Sequence, residues 1–83
     1  MSPTRGKFRA LLRLSEAARR AGVTPAQLHY YLMVGLMEPT RVSAGHQRWF
    51  DGEALKRISL IRLLNDSGYP LREIRDIFLH GQR

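Results

Sequence analysis

A chain of 83 residues has room for one domain, and a domain this small buries only roughly 60% of the surface its unfolded chain exposes, which excludes a large catalytic cavity. It contains no cysteine, so disulfides, thiolate metal sites, thiol nucleophiles and sulfur-ligated zinc fingers are excluded as well. Fourteen Lys and Arg against seven Asp and Glu give a net charge of +7 on a composition that is 43% hydrophobic, so the excess charge sits on a folded surface and suits a polyanion: nucleic acid or an acidic membrane face.

Residues 1–11 read as a basic arm, because Arg5, Lys7 and Arg9 precede the first acidic residue, Glu16, while Pro3 and Gly6 discourage regular structure. The apolar stretch 8–14 is broken by Arg9 and Arg13, too short and too charged for a secretory core or a membrane span, so a soluble intracellular protein without a membrane partner is expected. Ser15 is then expected to cap a short helix over 16–21, with Ala17, Ala18 and Ala21 on a small-residue face and Gly22 as its stop. Thr24, Pro25 and Gln27 start a second helix as N-cap, first-turn proline and capping-box partner. It runs to about Val34 with Leu28, Tyr31 and Leu32 on one face, and Gly35 ends it. Two short helices joined by Gly22-Val23-Thr24 make a helix-turn-helix candidate.

Beyond Pro39, the stretches 40–42 and 47–50 around a turn at 43–46 predict a short hairpin, a wing, in which Phe50 points into the core. Asp51 caps a longer helix over 52–67, where Leu55, Ile58, Ile61 and Leu64 repeat at helical spacing and Gly68 is the stop. A last helix over 71–79 turns Leu71, Ile74, Ile77 and Phe78 inward and Arg72, Arg75 and Asp76 outward. Tyr31 and Tyr69 read as structural, Tyr69 by folding back after the glycine stop. The fold class is therefore mainly α: a winged helix-turn-helix with four helices and a two-stranded wing, over residues 12–80.

On the second helix, Thr24, Ala26, Gln27, His29 and Tyr30 are the candidates for a nucleic-acid interface. Glutamine can pair bidentately with adenine and alanine can meet a thymine methyl, although Thr24 and Gln27 also serve as caps. Arg41 and Arg48 flank the wing, and with Arg13, Arg19 and Arg20 they are placed to neutralise phosphates. His29, His46 and His80 are too scattered to hold a metal, and Asp66, Glu73 and Asp76 read as helix-surface charges. No nucleophile, general base and oxyanion set is recognisable, so neither catalysis nor a cofactor is expected. The apolar run 30–37 has two readings: deep packing beneath the wing, or an exposed Leu32/Met33/Met37 patch for a second copy or another protein such as RNA polymerase.

Several dispersed words carry a resemblance. They are Leu14-Ser15-Glu16-Ala17-Ala18 with Gly22-Val23-Thr24, and His29-Tyr30-Tyr31 with Val34-Gly35-Leu36 and Pro39. Arg48-Trp49-Phe50-Asp51 follows, then Gly68-Tyr69-Pro70-Leu71 with Glu73-Ile74. In this order and spacing the chain resembles, from about 12 to 79, the DNA-binding domain of MerR-type transcriptional regulators. The resemblance implies that the second helix enters the major groove of double-stranded DNA while the wing lies along the backbone. It also implies a role in transcriptional control in the bacterial cytoplasm, associated with the nucleoid.

Where that family usually has Arg-Tyr-Tyr-Glu-Arg, this chain has His29-Tyr30-Tyr31-Leu32-Met33, and the wing's usual Gly-Tyr-Arg becomes His46-Gln47-Arg48. Such regulators generally continue into a long dimerisation helix and an effector-sensing region. Only His80-Gly81-Gln82-Arg83 follow Leu79 here, so a free monomer without a sensing module is the expectation. Two further readings stand beside it: an architectural factor resembling recombination-directionality factors, and a MerR-like protein-interaction module resembling chaperone modulators. The net charge of +7 favours DNA over the interaction module.

Overall fold

The computed structural model describes residues 11–81, with side chains described through residue 78. Of the basic arm expected over 1–11, only residue 11 lies among them. Strand β1 is Leu12–Arg13, helix α1 Leu14–Ala21 and helix α2 Pro25–Met33. Strands β2 (Arg41–Ser43) and β3 (Gln47–Phe50) are joined by a 3-10 turn, Ala44–His46, and are followed by helices α3 (Gly52–Asp66) and α4 (Leu71–Gly81).

The four helices and the hairpin are those expected, but the sheet has three strands in the order β1-β3-β2. Leu12 pairs with Phe50 and Arg13 with Trp49, both antiparallel. A two-residue strand has no period of its own to be read, and here it exists because the hairpin offers it an edge. The same pairing corrects the start of α1. The chain leaves the sheet at Arg13, which is itself the N-cap without a side-chain cap bond, and Leu14 is already helical. Ser15 therefore lies inside the first turn, and its expected capping role is not taken up.

Ala17 and Ala18 of α1 are fully buried, and small side chains there let α1 pack closely against both α2 and α3. Around them lie Leu28, Leu36, Phe50, Ile58, Ile61 and Ile74, all essentially without exposure. Phe50 joins the base of the wing to this core, and truncating such a buried phenylalanine to alanine typically costs about 3–5 kcal/mol.

Two expected positions differ, and a third is decided between two readings. Ile77 is 44% exposed: Leu71, Ile74 and Phe78 define the buried face of α4, and at 100° per residue Ile77 lies roughly 90° from its centre. Tyr69 is 43% exposed, because the turn after α3 is closed by its backbone. Its N–H donates to the Leu64 carbonyl at 3.1 Å, and Asn65 Nδ2 donates to the Tyr69 carbonyl at 2.7 Å, so ring burial is not needed. Met37 is buried, since the Leu36 N–H bond to the Tyr31 carbonyl (2.9 Å) turns the chain back and sends both Leu36 and Met37 into the core. That removes Met37 from the exposed Leu32/Met33/Met37 patch, and Leu32 is half-buried against the core.

Candidate nucleic-acid interface

Helix α2 begins with the complete capping box. Thr24 Oγ1 accepts the Gln27 N–H at 3.0 Å and Gln27 Oε1 accepts the Thr24 N–H at 2.9 Å, with Pro25 in the first turn. Buried Val23 plugs the three-residue link from α1. Leu28 and Tyr31 face the core, and burial pushes the Tyr31 hydroxyl pKa above its ordinary value. The helical repeat then turns Ala26, His29, Tyr30 and Met33 to solvent, and all four are exposed.

Ala26, Tyr30 and Met33 follow one another at i, i+4 and i+7 as a ridge with no charge on it, with His29 beside them. Met33 is 69% exposed and belongs to this ridge, off the Leu28/Tyr31 face as its position in the helical repeat predicts, rather than to a patch with Leu32 and Met37. Gln27 stands to one side of the ridge with its carbonyl oxygen engaged in the cap. A bidentate pair with adenine needs that oxygen, so such a contact competes with the start of the helix.

The register of the sheet sorts the arginines. Arg13, Trp49 and Arg41 lie opposite one another across the three strands and so form a row on one face. The Arg13 guanidinium lies 5.5 Å from the centre of the Trp49 ring, and Trp49 Nε1–H donates to Ser43 Oγ at 3.0 Å. Trp49 thus ties all three strands together and seats a cation, a role that the sequence reading missed. Arg48 pairs with Val42 on the other face, the face of Phe50, so the two wing arginines project in opposite directions. At the wing tip, Gly45 (φ 78°) and His46 (φ 64°) are both left-handed, a conformation that is uncommon for histidine.

On α1 the Glu16 carboxylate accepts from Arg19 Nη2 at 2.7 Å and Arg20 Nε at 3.1 Å, and these bonds hold its pKa below the ordinary carboxylate value, Arg19 contributing most. Arg19 and Arg20 are therefore partly neutralised. Arg13, Arg41 and Arg48 have no ion-pair partner among the described residues. His29 on α2 and His46 at the wing tip stand on separate elements, and no three potential metal ligands come together among the described residues. No helix among those residues is long and apolar enough to cross a membrane.

Residues 12–80 match the family of MerR HTH family regulatory proteins. The chain is 38% identical over 63 residues to the nodulation protein NolA of Bradyrhizobium elkanii, covering 76% of this chain and 29% of NolA. It is 39% identical over 64 residues to the HTH-type transcriptional regulator CueR of Bacillus subtilis, covering 77% of this chain and 44% of CueR. The chain thus spans less than half the length of either relative. Its fold superposes on the crystal structure of a MerR-family transcriptional regulator from Bacillus cereus with a TM-score of 0.75, at 29% identity, over 83% of this chain and 52% of that one. The chain belongs to the MerR family.

Proposed function

We propose that this MerR-family helix-turn-helix domain, residues 12–80, binds double-stranded DNA sequence-specifically in the control of transcription, with α2 in the major groove and the wing on the backbone. The observation that carries the reading is an uncharged, exposed ridge on α2, Ala26-Tyr30-Met33, in a chain whose sheet arginines Arg13, Arg41 and Arg48 have no ion-pair partner among the described residues. A groove floor of base edges and thymine methyls suits such a ridge, while unpaired arginines suit phosphates. CueR and the Bacillus cereus protein, both transcriptional regulators, support the same reading.

In this arrangement Arg13, Arg41 and Arg48, with Arg20 once it leaves Glu16, contact phosphates. Ala26, His29 and Tyr30 face the bases, and Thr24 and Gln27 hold the end of the helix that enters the groove. The domain acts by binding rather than catalysis, in the bacterial cytoplasm.

Selection from a pool of random duplexes tests this. The chain should enrich a defined motif, and Tyr30→Ala should weaken or change that motif while the protein stays folded by circular dichroism. Retention of duplexes without any enriched motif would favour an architectural factor, and no retention at low salt would overturn DNA binding altogether.

A further inference from the structure

The two helices of the helix-turn-helix end alike, and each end is met by an arginine from the C-terminal helix pair. After α1, Gly22 is left-handed (φ 86°) and the Val23 N–H donates to the Ala18 carbonyl at 2.9 Å; after α2, Gly35 is left-handed (φ 81°) and the Leu36 N–H donates to the Tyr31 carbonyl at 2.9 Å. A Cβ on Gly22 would stand 3.2 Å from Arg62 Nη1 of α3, and a Cβ on Gly35 would stand 3.3 Å from Arg75 Nε and 3.8 Å from Arg75 Nη2 of α4. The missing side chains leave room for guanidinium groups beside Gly22 and Gly35, close to the C-terminal ends of α1 and α2, where the helix dipole is negative.

The two ends differ in what else serves them. The last turn of α1 carries its own cations, Arg19 and Arg20, and Arg62 is shared with Asp66 at 3.6 Å. The last turn of α2 carries no basic residue, and Arg75 has no ion-pair partner among the described residues. Arg75 also lines the cleft between α2 and α4 with Tyr30, Val34, Leu71 and Arg72.

We propose that Arg75 is a positioning residue for DNA recognition: from α4 it holds the C-terminal end of α2, and so keeps the Tyr30–Met33 part of the reading ridge in its binding arrangement. The proposal rests on the reading of α2 as the helix that meets DNA. If the last turn of α2 opens more often without Arg75, the binding-competent fraction falls and apparent affinity falls with it.

The test uses the full chain with Arg75→Met, Arg75→Lys and, for comparison, Arg62→Met. Residue-resolved amide exchange is measured without DNA, and duplex affinity over a salt series. Arg75→Met should speed exchange at the Gly35 and Leu36 amides about two- to fivefold, the size of a cation at a helix end. Amides of α1 and α3 should stay unchanged, and Arg75→Lys should restore part of the protection. Arg62→Met should have less effect at Val23, and duplex affinity of Arg75→Met should fall, by at most that factor, at an unchanged salt slope. A salt slope reduced by about 0.9 would make Arg75 a direct phosphate contact and overturn the positioning role. Unchanged exchange at Gly35 and Leu36, or exchange raised evenly through the domain, would overturn it too. If the unsubstituted chain bound no duplex, the DNA reading would fall and the role in recognition with it, whereas the exchange data would still report whether Arg75 holds α2.

Discussion

Asp51 joins the wing to α3 through two hydrogen bonds. Its carboxylate accepts the Ala54 N–H at 2.9 Å, and its own N–H donates to Thr40 Oγ1 at 2.9 Å. The bond from Ala54 is the main reason its pKa lies below the ordinary 3.8, and Glu16 is lowered by Arg19 and then Arg20. In both cases the unfolded chain binds protons more readily than the folded one. Their contribution is therefore complete above the ordinary carboxylate pKa and is lost as pH falls through the depressed folded values. A Tm series in acid should show a falling limb below about pH 4. Asp51→Ala should lower stability by about 0.5–2 kcal/mol at neutral pH and flatten that limb, and an unaltered limb would contradict the assignment. Gln27 poses a second question at this scale, cap or reader. Because its Oε1 is held by the Thr24 N–H, Gln27→Ala should lower thermal stability and leave base preference unchanged. A changed preference at one base pair with unchanged melting would show that Gln27 leaves the cap to pair with adenine.

Among the elements, the wing depends most on contacts between distant parts of the chain. Trp49 holds Arg13 of β1 by its ring and Ser43 of β2 by its indole N–H. Trp49→Phe should keep the seat for Arg13 and lose only the indole bond. Trp49→Ala should lose both and weaken binding to all duplexes alike, measured on random-sequence DNA; a loss confined to particular sequences would contradict a backbone role for the wing. The same contrast explains what could be read from the sequence. The starts of α2 and α3 were legible because Thr24, Pro25, Gln27 and Asp51 cap within three residues of themselves. Strand β1 and the start of α1 were not, since both follow from pairing with Trp49 and Phe50 some 37 residues away. Candidate interface residues were legible as types, but their surroundings were less so. The Glu16 pairing of Arg19 and Arg20 is plain helical spacing, whereas the row that sets Arg13 and Arg41 on either side of Trp49, on the face opposite Arg48, depends on register across three strands. Ile77 is expected inward but lies at the edge of its helix's buried face, where a short periodic pattern leaves the boundary open.

For the molecule as a whole, the excess of seven positive charges suits contact with phosphates. The most direct measurement of the central claim is duplex affinity between about 50 and about 200 mM salt, for the unsubstituted chain and for Arg13→Ala, Arg41→Ala and Arg48→Ala. Each phosphate neutralised contributes about −0.9 to the slope of log affinity on log salt, so three sheet arginines alone give about −2.7. A slope at least that steep is expected, made shallower by about 0.9 in each variant. A binding constant indifferent to salt, or a slope that none of the three substitutions changes, would contradict it.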